Sequence, residues 1–163
     1  MKRLLFLVCF GALVLGAPAA RAQEKPREIE PGAGKVREIT VGDVWTGTLQ
    51  ESDGRDSVRG TRCHTCVVTL EAGKTYHIHM KADKKRDAYP DSLDSYLRLE
   101  DASGRHLDSN DDAPGAYGTN LDALIVFPCA VSGKYRISAT TWDGGTGSYF
   151  LQVSVAKAVT PKP

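Results

Sequence analysis

After residue 15 the sequence has no long hydrophobic run, and this absence argues against a membrane-spanning helix in the rest of the chain. An excess of charge of one sign is also lacking, because 21 basic and 20 acidic residues are interspersed and leave a formal net charge of +1. That balance does not fit the basic footprint typical of proteins that bind nucleic acids or anionic membranes. No window beyond the N-terminus shows a helical stripe of apolar residues, so a helical fold is not expected either.

The first 22 residues are predicted to form a signal peptide. Lys2 and Arg3 precede an apolar run over residues 4–15, which is too short to span a bilayer comfortably. The sequence Ala-Arg-Ala at 20–22 has the small-x-small pattern of a cleavage site, so Gln23 is expected to begin the mature chain. The protein is therefore expected to be secreted or periplasmic. A short membrane anchor is the alternative, and no second apolar stretch supports it.

Composition predicts one domain with a flexible segment on each side. Residues 23–38 are charged and rich in proline and glycine, with almost no apolar side chain to bury, and they are predicted to be a flexible leader. Residues 157–163 end in Pro-Lys-Pro and are predicted to be a disordered tail. The folded domain is expected to cover residues 39–156.

Between these segments, apolar and polar residues alternate along short stretches. Ile78 and Met80, for example, alternate with His77 and His79, which are predicted to face solvent. This period of two is typical of half-buried antiparallel strands, and glycine-containing turn signals separate the stretches. The sequence therefore predicts an all-β fold, an antiparallel and jelly-roll-like β-sandwich of about seven to nine strands. The residues predicted to form its core are Leu70, Ile78, Leu97, Leu99, Ile125, Phe127, Tyr135, Ile137, Leu151 and Val153.

Four stretches, in order, resemble the bacterial pre-peptidase C-terminal domain. They are LEAGKTYHIHM from Leu70, DSYLRLEDASGRHLDSNDD from Asp94, FPCAVSGKYRISATT from Phe127 and GGTGSYFLQV from Gly144. The opening GDVWTGTL from Gly42 also fits the start of that family, and the resemblance covers roughly residues 40 to 155. It implies a jelly-roll-like sandwich without catalytic residues, of the kind that accompanies secreted peptidases and other exported proteins. Related domains in bacterial collagenases bind extracellular matrix and calcium.

The chain departs from this family pattern in three ways. A peptidase domain does not accompany it in the sequence, which leaves an accessory role without an obvious client. Residues 82–92 form an apparent insertion before the Asp-Ser-Tyr motif at 94–96. The Cys-His-Thr-Cys motif at 63–66 is an addition that a generic member of the family would not be expected to carry.

An acidic cluster near predicted strand ends is the leading candidate for a metal site. Calcium prefers six to eight oxygen ligands that converge from loops, and a weak site would suffice for an exported protein. The alternative is that these side chains only stabilise turns by accepting hydrogen bonds from nearby backbone. Asp94 is predicted to share the ion with Asp111 or Asp112. The full candidate set is Asp94, Asn110, Asp111, Asp112 and Asp122.

The three cysteines beyond the leader allow several interpretations. Cys66 and Cys129 share the parity of core-facing residues on their predicted strands, so a disulfide between them is predicted, with Cys63 as the free thiol. A local Cys63–Cys66 bridge is the rival pairing. A zinc site would use Cys63, His64, Cys66 and Cys129. A redox CxxC motif is disfavoured, because no predicted helix follows Cys66 to stabilise a thiolate.

The function predicted from these features is that of a non-catalytic, secreted accessory or binding domain. Neither a GxSxG elbow nor another nucleophile context is present, so enzymatic activity is not expected. Trp45, Trp142, Tyr117 and Phe150 form either an aromatic binding patch or caps at the ends of the sandwich. The expected partner is an unidentified protein or polysaccharide outside the cytoplasm, and the chain is expected to be a monomer. The main alternative is a cell-surface protein that binds a matrix or glycan polymer.

Overall fold

The computed structural model describes residues 36–83, 93–115 and 121–157, and these residues form nine β-strands. The predicted signal peptide, most of the predicted leader, residues 84–92 of the predicted insertion, Tyr117 and residues 158–163 of the predicted tail lie outside the described residues. The strands are β1 (Arg37–Ile39), β2 (Val44–Leu49), β3 (His64–Leu70), β4 (Thr75–Ala82), β5 (Ser95–Asp101), β6 (His106–Asn110), β7 (Ala123–Pro128), β8 (Gly133–Thr141) and β9 (Gly147–Val155). Strand β1 begins two residues before the predicted domain start at residue 39.

The strands form two sheets that pack face to face. One sheet has five strands in the order β1-β3-β8-β5-β6, and the other has four in the order β2-β9-β4-β7. All neighbouring strands are antiparallel except β1, which pairs parallel to β3. The described residues contain no helix, and therefore none that could cross a membrane. The predicted all-β sandwich is confirmed.

Alternation along the strands places the hydrophobic core between the sheets. On β4, for instance, Tyr76, Ile78 and Met80 are buried, while the residues between them point outward. Every residue predicted for the core is buried except Phe127, which is partly buried and packs against the core from one side. The period of two decided this result, because a shift by one residue would have exchanged the core and outer faces.

The two ends of the sandwich are built differently. At one end, here called the turn end, four connections of four residues each join successive strands: 40–43, 71–74, 102–105 and 129–132. Gly73 and Gly104 have positive φ angles of 82° and 83° there, a conformation that glycine adopts at little cost. At the other end, here called the loop end, the connections span residues 50–63, 83–94, 111–122 and 142–146.

The loop of residues 50–63 folds over the outer face of the five-stranded sheet. Its Asp56 forms an ion pair with Arg98 of β5, which is also paired with the neighbouring Glu100. The side chains of Asp56 and Arg98 are only 1% and 6% exposed. Nearby, the Thr61 and Thr140 hydroxyl groups lie 2.7 Å apart. A buried ion pair therefore fastens this loop to the sheet.

Candidate binding surface at the loop end

Strand register brings several of the predicted site residues to the loop end. Ser95 at the start of β5 pairs with Thr141 at the end of β8, and Leu97 pairs with Asn110 at the end of β6. The residues just beyond these three strand ends must therefore be neighbours. The Trp142 backbone N–H donates a 2.8 Å hydrogen bond to the Asp94 carbonyl, which joins two of these segments directly.

An arginine holds the two aromatic side chains of this region in place. The Arg59 guanidinium lies 4.5 Å from the centre of the Tyr96 ring and 4.1 Å from that of Trp142. Its Nη2 also donates a 2.7 Å hydrogen bond to the Trp142 carbonyl. Trp142 remains 49% exposed. Since an exposed tryptophan that is fixed in one position loses little freedom on binding, it is well suited to ligand contact.

Three other carboxylates interact electrostatically with Asp94, whose carbonyl accepts the Trp142 N–H. Partial burial raises the pKa of Asp94, and repulsion from Asp143, Asp111 and Asp112 raises it further, while Arg59 opposes the rise. The repulsion shows that negative charge accumulates here. We call Asp94, Asp111, Asp112 and Asp143 the acidic rim. The sequence identified three of its four members, and it missed Asp143 because that residue follows a different strand.

The acidic rim does not by itself assemble a calcium site. The Asn110 side-chain oxygen accepts a 2.8 Å hydrogen bond from the Leu124 N–H, so this predicted ligand already joins β6 to β7. Asp122 exerts its electrostatic effect on His79, on the four-stranded sheet. Among residues 36–83, 93–115 and 121–157, no three histidine, cysteine or acidic side chains come close enough to hold a metal ion. Calcium binding therefore stays a prediction.

The structure does not form the predicted Cys66–Cys129 disulfide, because Cys63, Cys66 and Cys129 are all free and buried thiols. Such a bridge requires the start of β3 to lie near the end of β7. However, the end of β7 lies beside the start of β4, where Cys129 exchanges backbone hydrogen bonds with Gly73 and Lys74 at the turn end. Cys66 lies near the start of β3, toward the loop end. The strand parity was correct, but β3 and β7 begin at the same end of the sandwich, so the condition for the bridge is not met.

The rival uses of the CxxC motif also fail in this structure. Residues three apart in extended chain point to opposite faces, so Cys66 enters the core while Cys63 lies near Asp56 and Ser138 on the outer side. Burial raises the pKa of Cys63 to about 11 and that of Cys66 to about 12. Burial therefore favours the protonated form of both thiols, which is unfavourable for redox chemistry.

His64, the remaining ligand of the zinc alternative, is used by the fold instead. Its Nδ1 lies 2.8 Å from the Tyr149 hydroxyl, and its Nε2 lies 3.1 Å from an Asp53 carboxylate oxygen. The Trp45 ring packs against both His64 and Tyr149, with ring centres 5.6 and 5.5 Å away. His64 is therefore not a simple surface residue, because both of its ring nitrogens are engaged.

Of the four aromatic residues weighed as a patch or as caps, the three that the structure describes, Trp45, Trp142 and Phe150, do not form one patch. Trp142 belongs to the loop end, whereas Trp45 packs beside Tyr149 and Phe150 lies on the outer face of the four-stranded sheet. Tyr96, which the sequence analysis did not single out, is the true aromatic neighbour of Trp142, with ring centres 5.9 Å apart. Its position at the start of β5 would have revealed this only if the β5–β8 pairing had been known.

No family model and no curated protein matches the sequence. Several solved structures are similar to it. The pre-peptidase C-terminal domain of a collagenase from Bacillus anthracis is 15% identical, with a TM-score of 0.51 over 74% of this chain and 95% of that domain. The g-type lysozyme inhibitor PliG of Aeromonas hydrophila is 14% identical, with a TM-score of 0.47 over 76% of this chain and all of that one. The copper-binding surface protein CorA of Methylomicrobium album BG8 is 12% identical, with a TM-score of 0.47 over 76% and 99% of the two chains. The chain therefore has a fold like that of the pre-peptidase C-terminal domain.

Proposed function

We propose that this protein is an exported, non-catalytic binding module that contacts its partner through the loop end. The observation that carries the proposal is the half-exposed ring of Trp142, fixed by Arg59 and bordered by the acidic rim. Loops mounted on a rigid sandwich are a common place for such contacts. The fold shared with a collagenase accessory domain and the predicted signal peptide both agree with this role.

The chemistry of the loop end favours a partner that presents cationic groups. Asp94, whose carbonyl accepts the Trp142 N–H, is acted on by the carboxylates of Asp111, Asp112 and Asp143, and Arg59 opposes them. A lysine or arginine side chain from a partner could lie over the open part of the Trp142 ring and be attracted by the rim. A basic protein surface is therefore the partner class that we propose.

The chemistry of the remaining polar groups supports a non-catalytic role. The thiols of Cys63 and Cys66 are held in the protonated form by burial, which raises their pKa values. Asp53, His64 and the Tyr149 hydroxyl form a hydrogen-bonded series, but Tyr149 is fully buried and burial raises the pKa of its hydroxyl, so this hydroxyl is poorly suited to act as a nucleophile.

A comparison of variants tests the proposal. We expect Trp142→Ala to weaken binding of lysine-rich and arginine-rich peptides, and of partners captured from the native cell envelope, at least about tenfold. Val131→Ala is the matched control, because Val131 is 68% exposed but lies at the turn end. Binding should fall with added salt, since the rim acts through charge. Equal binding by wild type and Trp142→Ala would rule out the loop end as the contact surface.

A glycan polymer is the second candidate ligand, favoured by the same exposed indole. Sugar rings pack against tryptophan faces without requiring charge, so such binding would depend on Trp142 but hardly on salt. A depletion assay with insoluble polysaccharides distinguishes the two. Loss of the protein from solution at high salt would favour the glycan, whereas salt-sensitive binding to basic peptides would favour the protein partner.

A further inference from the structure

Each of the two sheets ends in two edge strands, and an edge strand exposes backbone N–H and C=O groups that have no neighbouring strand to bond. The edges are β1 and β6 in the five-stranded sheet, and β2 and β7 in the four-stranded sheet. Proteins usually protect such edges with charge, proline, bulges or very short strands, because an unprotected edge can pair with another chain. A comparison of the four edges therefore indicates where another chain can be added.

Three of the four edges are protected in one of these ways. Strand β1 has only three residues, and two of them, Arg37 and Glu38, are charged. Along β6 the register with β5 shifts by one residue, as it does at a β-bulge. Strand β7 ends at Pro128, and its Leu124 N–H donates a 2.8 Å hydrogen bond to the side chain of Asn110 on β6. Pairing with another chain is therefore disfavoured at these three edges.

Strand β2 has none of these protections. Its six residues, VWTGTL, include no charged residue and no proline, and they pair with β9 without a shift in register. Within the residues that the structure describes, β9 is the only strand that pairs with β2. The side chains of Val44, Thr46 and Thr48 point outward from β2 and are exposed. The β2 edge is therefore a regular, uncharged template for a further antiparallel strand.

Packing on the inner side of β2 holds this edge in a fixed shape. Trp45 packs against the Tyr149 ring, with ring centres 5.5 Å apart, and the Arg37 guanidinium lies 5.2 Å from the centre of the Trp45 ring. A Cβ atom on Gly47 would lie only 2.7 Å from the buried Tyr149 hydroxyl, so only glycine fits at that position. Since a strand that is already held in place loses little freedom on pairing, β2 is preorganised for association.

We propose that two copies of this protein associate through their β2 edges, in antiparallel register, and so join their four-stranded sheets into one sheet of eight strands. A two-fold symmetric dimer brings the same surface of both copies into contact, as this pairing does. The near balance of 21 basic and 20 acidic residues leaves little long-range repulsion between copies. This pairing departs from the expected monomer, because the sequence alone does not reveal which strand lies at an edge.

Side-chain direction and charge together select one register. Outward-facing residues must stay opposite outward-facing residues, and the two registers that keep most of β2 paired are centred on Thr46 and on Gly47. Centring on Gly47 would place Asp43 directly opposite Glu51 of the other copy, and like charges in that position are destabilising. Centring on Thr46 avoids this repulsion and places Trp45 opposite Gly47, a pairing of aromatic residue and glycine that stabilises sheet edges. Strand β2 therefore complements itself, which favours a second copy over an unrelated strand.

This interface is separate from the proposed binding surface at the loop end. Trp142 follows β8 of the five-stranded sheet, whereas β2 is an edge of the four-stranded sheet. Trp142→Ala should therefore dimerise as wild type does. A protein that proves to be a monomer would leave the partner-binding proposal intact, and the reverse is also true.

Sedimentation equilibrium of the full chain, at concentrations from micromolar to millimolar, tests the proposal. We expect wild type to pass from monomer to dimer as concentration rises, and Thr46→Lys to remain a monomer because it places two cations directly opposite each other. Thr69→Lys is the matched control, since Thr69 is exposed on β3, an inner strand of the other sheet, and this variant should dimerise. A monomeric wild type at every concentration, unchanged dimerisation of Thr46→Lys, or dissociation by Thr69→Lys as well would each overturn the proposal.

Cross-linking through one introduced cysteine tests the register without relying on a charge substitution. Residues directly opposite each other in an antiparallel pair have Cα atoms about 4.5–5.5 Å apart, within the range of about 4.4–6.8 Å that a disulfide needs. Thr46→Cys should therefore form a covalent dimer when oxidised glutathione is added, whereas the described native cysteines are buried and should not react. Thr48→Cys is the control, because its two copies would lie four residues of strand apart, about 13 Å. Absence of the covalent dimer in Thr46→Cys, or equal or greater cross-linking in Thr48→Cys, would contradict the β2 pairing.

Discussion

The turn end and the loop end of this sandwich are made from the same nine strands but differ in how their conformation is maintained. At the turn end, short connections with glycine at positive φ close the chain locally, as Gly73 and Gly104 show. At the loop end, long connections depend on side chains distant in sequence, such as Arg98 with Asp56 and Arg59 with Trp142. Backbone conformation and backbone hydrogen bonds, such as those between Cys129 and the 71–74 turn, therefore hold the turn end, whereas side chains distant in sequence position the exposed functional groups at the loop end.

The largest effect is expected from removal of the buried cation at the loop end. Arg98→Met leaves the buried carboxylate of Asp56 without its cation and leaves Glu100 with Arg136 alone, 3.6 Å away, which should lower the free energy of unfolding by about 3–5 kcal/mol. Urea denaturation measures the change. Arg105→Met is the matched control, because Arg105 is 74% exposed and pairs with Asp101 at the surface. Loss of this surface ion pair should lower the free energy of unfolding by less than about 1 kcal/mol. Equal costs would show that residues 50–63 are not fastened by Arg98.

The same ion pair predicts acid sensitivity. Burial tends to raise the pKa of Asp56, but hydrogen bonds from Arg98 and from the backbone of Arg59 and Val58 outweigh it and lower the pKa below 3.8. A carboxyl group whose pKa is lower in the folded state than in the unfolded state stabilises the protein at pH values above its unfolded-state pKa. That stabilisation is lost as the pH falls through its folded-state pKa. We therefore expect wild type to lose stability below about pH 4 more steeply than Asp56→Asn. Parallel pH curves would contradict this.

A smaller loss of stability is expected from a glycine substitution at the turn end. Gly73 has a φ angle of 82° with open space around it, so Gly73→Ala meets no steric clash but strains the backbone. The cost should be about 1–2 kcal/mol. Gly133→Ala is the control, because Gly133 also has open space around it but does not have a positive φ. If the two variants unfold at the same urea concentration, the turn does not depend on left-handed backbone.

Calcium should affect only the loop end, if it binds as the sequence predicts. An ion shared by Asp94 and Asp111 or Asp112 would relieve the repulsion within the acidic rim, so excess Ca²⁺ should raise the Tm relative to EDTA. Asp94→Asn should abolish the difference. Identical Tm values in excess Ca²⁺ and in EDTA would exclude a calcium site that stabilises the fold.

The smallest effect is expected from Asp94→Asn in EDTA. Burial and the neighbouring carboxylates raise the pKa of Asp94, so the folded state binds this proton more tightly than the unfolded state. Its charged form therefore weakens the fold as pH rises above 3.8. The variant should gain less than about 1 kcal/mol at pH 7, and the gain should vanish at pH 3. A loss of stability at pH 7 would mean that Asp94 has a stabilising role.

The alternation of apolar residues was enough to predict the all-β class and nearly all of the core. On β4, burial of Ile78 and Met80 follows from parity alone, because successive side chains point to opposite faces of a strand. Parity also placed Cys66 in the core. Glycine positions located the turns, as Gly73 and Gly104 show, because the conformation required there is a local property of the chain.

Only the tertiary structure decided which strands are neighbours. The candidate binding surface at the loop end depends on this strand order. Parity gave no information on strand order, so the predicted Cys66–Cys129 bridge joined opposite ends of the sandwich. Arg59, in a loop without periodicity, could not be assigned to Trp142, 83 residues away in the chain. The sequence by itself thus determined the strands, the face that each residue occupies and the tight turns, because these rest on local geometry. The pairing of β5 with β8 and the path of residues 50–63 were decided by burial and ion pairing between distant segments, and this is why the binding surface emerged only in the folded molecule.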